Sequence, residues 1–230
     1  MIDYQGIIDY YYPEAKVPEL RHILLKHSEA VARKAVEIVD AHPEFGADRD
    51  FVFAAAMLHD IGIIRCDAPG IFCYGSEPYL KHGVIGAAML TQAPLQLLPS
   101  WGEKGLLTTK SNTNSPSRGF CSPQTGKPKG VQRLLKMSQS DREGVGALAR
   151  VCARHTGTGL PGLEPETWEE KIVCYADKFF SKTKLDREKT YEEARQSLMK
   201  FGEEGVRKFE EWHRLFAVHS SPPLAPPKGE

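Results

Sequence analysis

Four histidines and two aspartates interrupt otherwise apolar stretches of this chain: His27, His59, Asp60, His82, His155 and Asp177. The sharpest case is AAAMLHDIGII, residues 54–64, where alanine, methionine and leucine lead into an imidazole and a carboxylate in succession before Gly62. Buried without partners, each of these two groups would cost roughly several kcal/mol, so something must satisfy them. A hydrogen-bond network is one answer and a bound metal ion is the other. For any one histidine, a satisfied core residue is the simpler reading. The set points elsewhere, because an apolar bundle would struggle to satisfy four imidazoles and two carboxylates by mutual hydrogen bonding, whereas borderline divalent cations bind both groups well. Helical bundles hold one or two metal ions in this manner.

The elements that must position these residues read as helices. From Leu20, the apolar positions Leu24, Val31, Ala35 and Ile38 fall at helical spacing, with His27 inside the stripe and HPEFG at its end. A second helix is expected after an N-cap at Asp48 or Asp50, running through Phe51, Ala55, Met57 and Leu58 to Gly62 and ending at the His-Asp pair. In YLKHGVIGAAML, residues Tyr79, His82, Ile85, Gly86 and Met89 share a side. Periodicity returns at Val145, with Leu148, Ala149 and Cys152 leading to His155, and TGTGLPG closes that helix. Thr167 and Glu170 form a capping-box pattern that opens a helix carrying Val173, Ala176, Asp177 and Phe180 on one face. Two further amphipathic helices, separated near Gly202, follow. No strand pattern or internal repeat emerges, so the expected class is all-α, a single domain over 1–218 with a proline-rich, frayed tail at 219–230. Residues 94–141, rich in Ser, Thr, Asn, Pro, Gly and Lys, read as a low-complexity insert.

Bulk composition narrows the function classes. Thirty basic and 30 acidic side chains cancel, so no global electrostatic footprint favours duplex nucleic acid or an anionic membrane. No leader or membrane-spanning stretch is apparent, and a cytoplasmic location is expected. The five cysteines are scattered and odd in number, which suits reduced thiols better than a disulfide framework. Composition leaves the oligomeric state open.

In order and spacing, HSEAVA, AAMLHDIG, KHGVIGAAML, RHTGTG and YADKFF resemble the successive motifs of the HD-domain superfamily of metal-dependent phosphohydrolases, in the variant whose second motif reads HDIG. The likeness spans about residues 20–182 apart from the insert. It implies a helical bundle around a mono- or dinuclear metal site. By that resemblance His27, His59, Asp60 and Asp177 match the core ligands, with Asp60 as the bridging carboxylate, and His82 and His155 match the additional histidines of two-metal members. RHTGTG looks most like hydrolases of diadenosine tetraphosphate, but HDIGI has no lysine shortly after the pair, and the signatures of cyclic-dinucleotide enzymes are missing.

The chemistry so implied is hydrolysis of a phosphoester or phosphoanhydride in a small, nucleotide-like substrate, with one or two divalent ions activating water. Iron or manganese is favoured, and zinc or magnesium is compatible with the donors. Asp60 and Lys178 are the expected catalytic residues. Arg154, Thr156 and Lys178 are the expected substrate contacts, although Arg154 and Lys178 also fit as solvated helix charges and the TGTG turn as a helix C-cap. Two other classes fit the donors: a di-iron oxygenase of the same fold, and a regulatory module that holds metal and nucleotide without turnover.

Overall fold

The structure is a computed structural model and describes residues 2–93, 139–157 and 162–217. Eight α-helices make up these segments. Helix α1 (Tyr4–Tyr11) starts where the Asp3 side chain accepts from the Gly6 amide, and α2 (Pro18–Ala41) carries its proline in the first turn, where no amide donor is missed. The Asp48 carboxylate caps α3 (Arg49–Leu58) by accepting from Phe51 N at 3.0 Å. Next come α4 (His82–Gln92), α5 (Gln139–Arg154), α6 (Trp168–Asp177), α7 (Tyr191–Leu198) and α8 (Glu203–Phe216). Thr167 with Glu170, and Thr190 with Glu193, complete reciprocal capping boxes at α6 and α7.

The all-α class holds, with one addition: between α3 and α4 the chain makes a minimal antiparallel pair, β1 (Asp67–Ala68) with β2 (Cys73–Tyr74), in the register Asp67 to Tyr74 and Ala68 to Cys73. The expected boundaries shift in three places. Helix α3 stops at Leu58 instead of Gly62, because Asp60 leaves helical geometry (φ −101°, ψ 10°) and a 3-10 turn, Ile61–Arg65, takes over. The YLKHGVIGAAML segment opens as a 3-10 turn at Tyr79–Lys81 and becomes α-helical only at His82. Helix α5 begins at Gln139, ahead of its first apolar repeat at Val145. Helix α1, too short to show a repeat, was not expected at all. Of the low-complexity insert, residues 94–138 lie outside the described residues, as do the tail at 219–230 and Thr158 and Gly159 of the TGTG turn.

The principal packing pairs are α2 with α3 and α4 with α5, while α6 bridges α2, α3 and α5. Their shared interior includes Leu24, Val31, Val52, Leu58, Leu148 and Val173. Two glycines set the spacing on the α4 side. A Cβ on Gly62 would lie 2.1 Å from the His82 carbonyl oxygen, and one on Gly86 would lie 2.5 Å from Cys152 Sγ, so the turn after Asp60 touches the backbone of α4, and α4 in turn lies directly against the Cys152 side chain of α5. On the opposite flank α8 seats Phe209 and Phe216 against Tyr175 of α6. Among the described residues no helix is long and apolar enough to cross a membrane.

Candidate metal centre

The six residues expected to share one point do so. His27 projects from α2, His59 and Asp60 follow the end of α3, His82 opens α4, His155 follows α5, and Asp177 closes α6. His27, His59, Asp60, His82 and His155 are buried, and the Asp177 side chain is 15 % exposed. They form two groups with ligand atoms within 4.8 Å of one another, His27, His59, Asp60 and Asp177 in the first and Asp60, His82 and His155 in the second. Asp60 belongs to both. Its Oδ2 lies 3.1 Å from His27 Nε2 and 3.1 Å from His59 Nε2, while its Oδ1 lies 3.2 Å from His82 Nε2 and 3.4 Å from His155 Nε2. Asp177 Oδ1 closes the first group, 3.0 Å from His27 Nε2 and 3.5 Å from His59 Nε2.

Local backbone geometry fixes which nitrogen each ring offers. His59 Nδ1 meets the Ala56 carbonyl at 2.6 Å, His82 Nδ1 the Tyr79 carbonyl at 2.5 Å, and His155 Nδ1 the Cys152 carbonyl at 2.6 Å. A carbonyl can only accept, so Nδ1 carries the proton in all three rings and, in the neutral imidazole, Nε2 presents a lone pair. Two of those Nε2 atoms, on His82 and His155, stand 2.9 Å apart, and that of His59 lies 3.3 Å from Nε2 of His27, which also faces Asp177 Oδ1 at 3.0 Å. Neutral rings with Nδ1 protonated reach the 2.9 Å spacing of His82 and His155 only with a proton or another cation between the two nitrogens.

The carboxylate makes the same demand. Neither oxygen of fully buried Asp60 accepts a hydrogen bond of good geometry, although Lys182 Nζ reaches within 2.6 Å of Oδ2 as an ion pair. Lys182 offsets charge at Oδ2 and leaves Oδ1 facing only the Nε2 atoms of His82 and His155, and a buried carboxylate oxygen so placed is costly unless a cation satisfies it. The donor set, imidazole nitrogen with carboxylate oxygen, suits zinc, iron or manganese and makes no use of thiolate. These residues fit a metal.

Protonation without metal follows from the same arrangement. Burial opposes charge on His59, but the Asp60 carboxylate, with Asp177, overcomes it and pushes the ring up to about 9. Burial pushes His155 down to about 3, with the charges of His59 and His82 adding to the effect against Asp60. Burial would raise the Asp60 carboxyl, yet His59 and Lys182 hold it well below the usual carboxylate range. Cys152 donates its S–H to the His59 carbonyl at 2.9 Å, and burial followed by the Asp60 charge keeps it a thiol.

The expected substrate contacts are arranged differently from one another. Lys178 Nζ bonds the His155 carbonyl at 3.0 Å and Asp177 Oδ2 at 3.1 Å, tying two ligand-bearing segments together. Arg154 Nη1 meets the Glu164 carbonyl at 2.5 Å and Glu166 at 2.8 Å, in an ion-pair cluster with Arg150 and Glu170. Thr156 Oγ1 is buried with no partner.

Two contributors escaped the sequence reading. Lys182 approaches Asp60 from the segment after α6, where the chain has left helical periodicity, so no repeat could mark it. Tyr12, fully buried after α1, donates to the Ile61 carbonyl at 2.8 Å and accepts from Ile64 N at 3.1 Å, pinning the turn that carries Asp60. An isolated tyrosine in YYY carries no signal of that duty.

A family model described as HD domain matches residues 24–182, a span that begins just before His27 and ends at Lys182. Neither curated proteins nor solved structures give a match.

Proposed function

This chain belongs to the HD domain family, and from that premise we propose that it is a metal-dependent phosphohydrolase acting on a nucleotide-like phosphoester or phosphoanhydride. The observation that carries the reading is Asp60: a buried carboxylate without a directed hydrogen bond, each oxygen turned toward a separate pair of histidine Nε2 atoms. A carboxylate so placed would serve two cations. Divalent ions held there would lower the pKa of water and offset charge on a phosphoryl oxygen.

The chain's own groups complete the chemistry. His27, His59, Asp60 and Asp177 would hold one ion, and Asp60, His82 and His155 the other. Second bonds from Nδ1 to backbone carbonyls orient three of the rings and raise their basicity as ligands. Lys178 braces His155 against Asp177. Lys182 is the side chain placed to meet a phosphate oxygen, since its ammonium already sits against Asp60 and a phosphate would offer it a better-solvated anionic partner. Burial alone would lower that ammonium's pKa, but Asp60, Tyr79 and Asp177 outweigh it and keep the group charged.

The test is metal analysis of protein purified without chelator, together with a screen of nucleotides and dinucleotides for release of phosphate or nucleotide. One to two equivalents of iron or manganese and turnover are expected, with both lost in His59→Ala and Asp60→Asn. Full metal loading and turnover in those variants would overturn the assignment.

A further inference from the structure

A cavity of about 550 Å³ reaches the candidate metal centre through Lys182. Ile23 lies in its wall one helical turn before His27 on α2, and Lys182, which touches Asp60, lies in it too. The volume falls within the usual range for small-molecule sites, roughly 300–1,000 Å³. Its charged lining is Lys182, Lys184 and Arg187 against Asp186, an excess of cations, although Arg187 is also paired with Glu193 and Lys182 with Asp60. Its apolar lining is Ile23, Leu185 and Phe72.

Phe72 is the unusual member. It sits between β1 and β2 with φ +58°, and among the described residues no other non-glycine has positive φ. A bulky side chain is disfavoured there, and glycine would take the conformation freely. The ring gains little burial in return, being 45 % exposed. An exposed aromatic held in a costly conformation at the edge of a cationic cavity has the form of a stacking platform.

We propose that this cavity is a nucleoside-phosphate pocket in which Lys182 receives the phosphoryl group beside Asp60 and the ring of Phe72 stacks on the base. The assignment rests on the phosphohydrolase reading for its orientation, with the phosphate toward the metal ligands, and adds to it that the base is part of what is recognised.

Calorimetric binding of adenosine 5′-monophosphate and of ribose 5-phosphate to the full chain, both manganese-loaded and chelator-treated, tests it. The nucleotide is expected to bind at least about tenfold more tightly than the sugar phosphate, the gain typical of stacking one base on an aromatic ring. Phe72→Gly suits the local backbone, keeps the fold, and is expected to bring the ratio close to one, whereas Phe72→Trp restores it. Lys182→Met is expected to weaken both ligands. Equal affinities in the unaltered protein, or a ratio that survives Phe72→Gly, would overturn the pocket. Base-selective binding without phosphate release from any nucleotide would uphold the pocket and retire the hydrolase reading. Phosphate release with a ratio near one would do the reverse.

Discussion

His59 makes the metal-free centre sensitive to pH. Its folded-state value of about 9 lies above the ordinary 6.5, so in the absence of metal its proton stabilises the fold. That contribution is complete below about pH 6.5 and is lost as pH rises through about 9. His155 acts in the opposite sense but below this window, because its value is lowered to about 3. Asp60 and Asp177, both depressed, stay ionised throughout it. The melting temperature of chelator-treated protein is therefore expected to fall between pH 6.5 and 9, and the fall should vanish on metal loading, since a ligated imidazole is already neutral. A flat profile for the metal-free protein would show that His59 is not held protonated by Asp60. At this scale the six candidate ligands stood out in the sequence because each breaks, or adjoins a break in, an apolar stripe. Lys182 and Phe72 did not, since one follows a helix end and the other lies in a loop, where spacing carries no information about direction.

At the scale of elements, the second ligand group depends on how closely α4 approaches its neighbours. His82 opens α4, and the same helix meets the turn after Asp60 at Gly62 and α5 at Gly86 with no room for a methyl group. Gly86→Ala would force its Cβ toward Cys152 Sγ, whose thiol bonds the His59 carbonyl, and would push α4 outward with His82 on it. Overpacking of this kind costs typically about 1–3 kcal/mol. The expected result is a lowered melting temperature and a metal content that drops toward one equivalent, because His82 rides on the displaced helix, whereas His27 lies on α2 and Asp177 at the end of α6. Retention of two equivalents by a folded Gly86→Ala protein would contradict this dependence. The longer helices, α2, α5 and α6, were readable from stripes and caps because their periods run for several turns. Helix α1 and the β1–β2 pair were not, because two to eight residues hold too few repeats and their placement depends on tertiary contacts such as Tyr12 with Ile61 and Ile64.

Across the whole molecule, the candidate ligands come from segments as far apart as His27 and Asp177, separated by 150 residues, so no equivalent site exists in the unfolded chain. A metal that binds only the folded state adds stability by mass action, about 2.7 kcal/mol at a free concentration 100 times Kd. For a chain of this size, a change of about 1 kcal/mol moves the melting temperature by roughly 2–4 °C. Manganese at that concentration is therefore expected to raise the melting temperature of chelator-treated protein by about 5–11 °C. Asp60→Asn should respond far less, because it weakens both ligand groups at once, while His82→Ala should keep the part of the response that belongs to the first. The three proteins thus separate a shared carboxylate from two independent sites: if Asp60 did not serve both groups, its loss would cost no more of the metal response than the loss of His82. A full thermal response in Asp60→Asn would mean that the ion binds elsewhere on the chain.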